Sequence, residues 1–130
     1  MYKATTAFID VEVEPTYLPE HSAPEVHRYV WAYTVTIHNR GDDSVRLRRR
    51  HWTITNAKGE VQEVDGSGVV GEQPMLDPGD SFTYTSGCPL TTSSGFMVGH
   101  YEMERDDGSM LHVDIPAFSL DMPNARVSMN

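Results

Sequence analysis

The sequence predicts an all-β fold, an antiparallel β-sandwich that forms a single domain over residues 1–130. Three observations predict it. Apolar and polar residues alternate with a period of two in most segments, which is the pattern of strands with one buried face. The ten glycines and eight prolines are spread so widely that little room remains for a helix of about ten residues. Turn-forming pairs such as Asp107-Gly108 separate alternating segments.

The clearest alternation lies in the first third of the chain. In residues 9–14, aliphatic side chains alternate with acidic ones, and we expect the acidic row to protect an edge strand from pairing with other chains. Residues 29–38 form the strongest predicted strand, because aromatic and β-branched residues dominate it. Its face with Trp31 and Tyr33 is predicted to lie in the core.

The next strand, over residues 45–54, changes phase along its length. Leu47 and its apolar neighbour occupy odd positions, whereas Trp52 and the next aliphatic residue occupy even positions. A shift of one residue moves every side chain to the opposite face of a sheet. We therefore predict a β-bulge among Arg48, Arg49 and Arg50.

The remaining predicted strands cover residues 61–64, 81–86, 95–105 and 109–120. The total is about seven, at the spacing typical of immunoglobulin or fibronectin type III domains. Cys88 is the only cysteine, so the cysteine pair of true immunoglobulin domains is absent and the fibronectin type is favoured.

Charge and composition exclude several classes of partner. Nineteen acidic residues against ten basic ones give a formal net charge of −9. This argues against binding to nucleic acid or to anionic membranes, both of which need positive charge. The single cysteine favours a reducing cytoplasm, and we expect no signal peptide, because no apolar stretch follows the single lysine near the N-terminus. No cofactor is predicted.

One glycine-rich segment matches the dinucleotide-binding pattern G-x-G-x-x-G: Gly66, Ser67, Gly68, Val69, Val70 and Gly71. That pattern requires a helix after the loop, and Pro74 and Pro78 prevent one. Two interpretations stay open. The segment is either a loop between strands or an anion-binding nest of backbone amides assisted by Arg48 and Arg50. In the first case, we expect the arginines to pair with Glu60, Glu63 and Asp65.

Metal binding and catalysis receive weaker support. His100, His112 and Asp114 lie on the two arms of one predicted hairpin, where they would offer nitrogen and oxygen ligands to a divalent metal. The alternative is an exposed polar sheet face. The sequence has no nucleophile elbow of the form G-x-S-x-G, so no catalytic residues are predicted and the protein is not expected to be an enzyme.

Several motifs follow one another in order: Arg50-His51-Trp52, Gly66-Ser67-Gly68-Val69-Val70-Gly71-Glu72-Gln73-Pro74, Pro78-Gly79, Tyr84-Thr85-Ser86-Gly87, Gly95-Phe96-Met97-Val98-Gly99-His100-Tyr101 and Ile115-Pro116-Ala117-Phe118. In this combination the sequence resembles the bacterial ApaG family, also called CorD, over nearly the whole chain. The resemblance implies a fibronectin type III-like sandwich and a stand-alone cytosolic protein. It also implies a link to cobalt and magnesium tolerance, and a glycine loop suggested to bind pyrophosphate.

The leading functional prediction is a non-enzymatic binding module that acts through protein contacts. Domains similar to this family occur in eukaryotic F-box proteins and in a polymerase-interacting protein, where they look like protein-binding modules. We expect strand edges and a sheet face to contact an unknown protein partner, and an edge would also permit a homodimer. The alternatives are binding of phosphate, pyrophosphate or a nucleotide by residues 66–71, and weak binding of divalent cations.

Overall fold

The computed structural model describes residues 1–123, which form nine strands: β1 (Tyr2–Thr6), β2 (Ile9–Tyr17), β3 (Tyr29–Asn39), β4 (Val45–Asn56), β5 (Val61–Ser67), β6 (Met75–Leu76), β7 (Ser81–Leu90), β8 (Ser94–Arg105) and β9 (Met110–Asp121). All pairings are antiparallel. One sheet has the order β1-β2-β3-β7, and the other has β5-β4-β8-β9 with β6 beside β4. Two short 3₁₀ turns, Pro19–His21 and Pro24–Val26, connect β2 to β3. The described residues contain no helix long and apolar enough to span a membrane.

The core lies between the two sheets and confirms the predicted all-β sandwich. Trp31 and Tyr33 of β3 are buried, as the alternation predicts. Trp52 is also buried, and its ring packs edge-on against Tyr33 at 5.4 Å and against Phe118 at 5.8 Å between ring centroids. These aromatic contacts join β3 and β4 across the sandwich, since the two strands belong to different sheets.

The predicted bulge in β4 is confirmed, and it lies at Arg48, the first of the three predicted residues. Leu47 lies opposite Met103 of β8, but Arg49 lies opposite Glu102, so Arg48 is an extra residue in β4. Before the bulge, odd-numbered side chains face the core, and after it even-numbered ones do. After the bulge, each residue of β4 therefore lies on the face opposite to the one that the alternation of the first half predicts.

The acidic row of β2 does not protect an edge, contrary to the prediction. Residues 2–6 form β1, which pairs with β2 and makes β2 an inner strand. Asp10 is consequently buried, and it accepts hydrogen bonds from Arg40 Nε at 2.6 Å and from Thr5 Oγ1 at 2.7 Å. The bond from Arg40 is the main cause that holds the pKa of Asp10 well below its usual range.

A buried amide side chain fixes the turn after β3. Asn39 is fully buried, and its Nδ2 donates hydrogen bonds to the carbonyls of Asp43 at 2.8 Å and Leu76 at 3.0 Å. Its Oδ1 accepts a bond from the backbone N–H of Gly41 at 2.9 Å. The sequence predicts a turn here, but nothing in its local pattern indicates that this amide also holds the β6 segment, 37 residues away.

We predict that Asn39→Ala lowers the free energy of unfolding by roughly 2–3 kcal/mol, because it removes the donor to the buried carbonyl of Leu76 and the donor to the carbonyl of Asp43. Urea denaturation would measure the change. Asn56→Ala is the matched control, since Asn56 also holds a turn through its side chain but lies closer to solvent. We expect the control to lose less than about 1 kcal/mol. Equal losses in the two variants would contradict this role of Asn39.

Candidate functional site

The first candidate site is the glycine loop, and Arg50 occupies its inner side. Arg50 lies opposite Gly66 in the pairing of β4 with β5. A Cβ atom at Gly66 would lie 2.6 Å from Nη1 of Arg50, so a side chain at this position would displace the guanidinium. Nη1 donates hydrogen bonds to the carbonyls of Ser67 at 3.2 Å and Gly68 at 2.8 Å. Arg50 therefore supports the loop from within.

The rest of the loop is a tight hairpin. The N–H of Gly68 donates to the carbonyl of Arg48 at 2.8 Å, and the N–H of Val69 donates to the carbonyl of Glu72 at 2.8 Å. Val70 and Gly71 between them have φ values of +43° and +82°, as the central residues of a type I′ turn require. A Cβ at Gly68 would lie 2.1 Å from the Glu72 carbonyl oxygen. The presence of each of the three glycines in the motif is thus explained by its backbone conformation or by a close contact.

This geometry corrects one part of the anion-nest prediction. The amides of Gly68 and Val69 do not converge on a common point, because both donate to carbonyls of the loop and its neighbouring strand. Arg48 is also engaged, since its Nε donates to Glu104 at 2.7 Å and its Nη1 to Gln73 at 2.9 Å. Binding of phosphate or a nucleotide at residues 66–71 stays a prediction.

The expected pairing of the arginines with Glu60, Glu63 and Asp65 of the β4–β5 hairpin is wrong. Arg48 bonds to Glu104, and Arg49 Nε lies 4.0 Å from a carboxylate oxygen of Glu102. Both carboxylates belong to β8, the other neighbour of β4, and Glu102 lies directly opposite Arg49. The bulge is the physical reason, because it sets this register of β4 against β8.

The second candidate site is a histidine row on the outer face of the β5-β4-β8-β9 sheet. Strand register places Asp65, His51, His100 and Asp114 opposite one another across the four strands. The ring of His100 is stacked between those of His51 at 5.2 Å and His112 at 4.1 Å. The structure thus brings together the predicted His100, His112 and Asp114, and adds His51. The sequence did not place His51 beside His100, because this position depends on the register of β4 against β8 after the bulge.

Two histidines of the row differ in their electrostatic environment. Nδ1 of His51 lies 2.7 Å from Asp65, and Nε2 lies 3.2 Å from Glu63. The hydrogen bond with Asp65 is the main cause that raises the pKa of His51. Partial burial is the main cause that lowers the pKa of His100, and its two histidine neighbours add to the effect.

The histidine row does not form a ready metal site. Among residues 1–123, no group of three histidine, cysteine or carboxylate side chains is placed to hold a metal ion. The rings of His100 and His112 lie within 23° of parallel, so their in-plane lone pairs do not point to a common position. Binding of a divalent cation by His100, His112 and Asp114 stays a prediction.

The third candidate site is the unpaired side of an edge strand. β1 has only five residues, β5 carries Glu63 and Asp65, and the backbone N–H of Asp114 in β9 donates to Thr6 Oγ1 at 3.2 Å. Short length, charge and coverage are the usual means by which proteins protect sheet edges. β7 differs, because its ten residues, SFTYTSGCPL, include no charged side chain.

The hydrogen-bond pattern shows which backbone groups of β7 have no backbone partner among residues 1–123. The N–H of Asn39 donates to the carbonyl of Asp80, and this sets the even-numbered residues of β7 to bond with β3. The N–H and C=O groups of Ser81, Thr83, Thr85 and Gly87 therefore point away from β3. We call these outward groups the free edge of β7. Pro89 has no N–H, so it ends the run of free donors.

Comparisons with known proteins agree with the fold and the motifs. Residues 19–105 match the ApaG domain family. The chain is 60% identical to Protein ApaG of Brucella canis and 59% identical to Protein ApaG of Brucella anthropi, each over the full length of both chains. It is also similar to the crystal structure of an ApaA protein from Bordetella pertussis, with a TM-score of 0.87 and 48% identity over 90% of this chain and 95% of that one.

We predict that NMR titration separates the histidines of the row. His51 should titrate above pH 6.5 and His100 below it. Protonated His51 then stabilises the fold below pH 6.5, and this contribution is lost as the pH rises through its folded-state pKa. Asp65→Asn should bring the His51 pKa back toward its usual value, whereas Asp106→Asn, in a distant turn, should not. An unchanged His51 titration in Asp65→Asn would count against this account.

Proposed function

The chain belongs to the ApaG family, and on that premise we propose that it is a non-enzymatic module that binds protein in the cytoplasm. Its partner contributes an extended segment, which adds as a new strand to β7. The observation that carries the proposal is the free edge of β7, a long run of outward backbone groups on an uncharged strand. Main-chain hydrogen bonds provide the affinity in this mode of recognition, and alternate side chains provide the specificity.

The side chains of β7 support strand addition on both faces. On the outer face, Thr83 bonds to Thr36 at 3.1 Å and Thr85 bonds to Thr34 at 2.9 Å, so short uncharged side chains line the surface beside the free edge. On the inner face, Phe82 is only partly buried against the core. An added strand would cover this ring, and the buried apolar area would add to the backbone hydrogen bonds.

The titratable groups of the histidine row that contact one another lie on an exposed face, and this supports a protein that is not an enzyme. His51 contacts Asp65 and Glu63, but the side chains of these two acids are 62% and 64% exposed. General acid–base chemistry usually takes place in a cleft from which water is excluded. An open sheet face lacks that property, so the histidine row supports a binding surface rather than a catalytic centre.

The proposal is tested with a phage-displayed library of random ten-residue peptides selected on the full chain. Selected peptides should shift the backbone NMR signals of residues 81–87. Thr85→Pro should weaken their binding at least about tenfold, because proline removes an outward donor without removing a bond to β3. Thr83→Lys tests the same edge with the backbone donor intact, and we expect it to weaken binding as well.

Glu63→Pro is the matched control, since Glu63 also directs its N–H away from its neighbour strand but lies on β5. The control should bind the selected peptides as tightly as the original chain. Peptides that map to any surface other than β7, or that bind Thr85→Pro with unchanged affinity, would contradict strand addition at this edge.

A further inference from the structure

We propose that the extended segment bound at the free edge of β7 is β7 of a second copy of this chain. Two such strands pair antiparallel about a two-fold axis and join two four-stranded sheets into one. The inference rests on the proposed function, because it names the partner of the same edge. Four features of β7 support it: the position of its outward groups, its outer face, its inner face and its charge.

The outward groups of β7 are self-complementary. Ser81, Thr83, Thr85 and Gly87 are arranged symmetrically about Tyr84. A two-fold axis at Tyr84 places Thr83 opposite Thr85 of the second copy, and Ser81 opposite Gly87 of the second copy. These are the hydrogen-bonded pairs of an antiparallel ladder, in which the two residues exchange both bonds. Every group of the free edge therefore finds a partner in one register.

On the outer face, pairing of the two copies extends the threonine pairs that each copy already has. Thr83 is bonded to Thr36 and Thr85 to Thr34, so each copy carries two threonine pairs that cross from β3 to β7. In the register about Tyr84, Thr83 lies beside Thr85 of the second copy. The pairs of the two copies then join into ladders that cross the axis, and threonine pairs across strands are favourable.

The inner face gains apolar contact in the same register. The rings of Phe82 and Tyr84 lie 6.2 Å apart between centroids, and Phe82 is only partly buried in one copy. Pairing about the axis brings Tyr84 against Tyr84 of the second copy and covers Phe82. Aromatic neighbours across strands contribute beyond the area that they bury.

Charge distinguishes the edge of β7 from the edge of β5 as a place for two copies to pair. β7 has no charged residue, so two identical strands pair without opposing like charges. On β5, a two-fold axis would bring Glu63 and Asp65 close to the same residues of the second copy, which is unfavourable. The net charge of −9 still repels the second copy at long range, so added salt should strengthen the dimer.

Analytical ultracentrifugation of the full chain tests the dimer over concentrations from about 1 μM to about 1 mM. We expect the mass to rise from 14.6 kDa to twice that value, and the dissociation constant to fall when salt is added. Thr83→Lys and Thr85→Pro should each raise the dissociation constant at least about tenfold. Glu63→Lys, which places a lysine on β5 instead of β7, should not weaken the dimer.

Disulfide trapping tests the register. A mixture of Thr83→Cys and Thr85→Cys chains should cross-link faster than either variant alone. In a mixed dimer the two cysteines lie opposite each other, whereas in a dimer of one variant each cysteine lies opposite a threonine. Cys88 does not interfere, since it is buried and its thiol pKa is raised to about 11 by that burial. Chains with Glu63→Cys should not cross-link.

Two results would overturn the dimer. One is a mass that stays at 14.6 kDa over the whole concentration range, and the other is a dimer that Thr83→Lys and Thr85→Pro leave unchanged. Amide exchange at Thr83 and Thr85 then separates this failure from failure of the proposed function. Fast exchange in a monomer leaves the edge open to a different protein, whereas slow exchange in a monomer means that the edge is covered and overturns both proposals.

Discussion

A single extra residue in β4 determines which side chains of this strand face the core and which face outward. Because Arg48 interrupts the pairing with β8, the face of β4 that points into the core changes from odd to even positions. Trp52 consequently packs between the sheets, Arg50 reaches the inner side of the glycine loop, and His51 joins the outer face. Without the bulge, each of these three side chains would lie on the opposite face.

The bulge also explains why a motif associated with nucleotides has a structural role here. G-x-G-x-x-G in a dinucleotide-binding fold leads into a helix whose N-terminus holds phosphate. In this chain the same letters close a hairpin. Gly66 leaves room for Arg50, Gly68 avoids the Glu72 carbonyl, and Gly71 completes the turn. The outward backbone groups of β7 instead lie on an uncharged edge, which contrasts with the short, charged or covered edges elsewhere in the described structure.

Local alternation was enough to predict the sandwich, the strand that carries Trp31 and the bulge, because each depends on residues within one segment. It failed where long-range pairing decides the outcome. The strand over residues 2–6 has a weak pattern of its own and forms by pairing with β2, which turned the predicted edge into an inner strand. The position of His51 beside His100, and the direction of the arginines toward β8, depend on cross-strand register, which a single sequence does not specify.

Gly66 leaves room for the guanidinium of Arg50, and a double-mutant cycle of Gly66→Ala and Arg50→Ala tests this contact most directly by urea denaturation. In the original chain, Gly66→Ala should lower the free energy of unfolding by about 1–2 kcal/mol, since the new methyl group displaces the guanidinium from its carbonyl partners. In the Arg50→Ala background the same substitution should cost almost nothing, which gives a coupling energy of at least about 1 kcal/mol. An equal cost of Gly66→Ala in both backgrounds would contradict the claim.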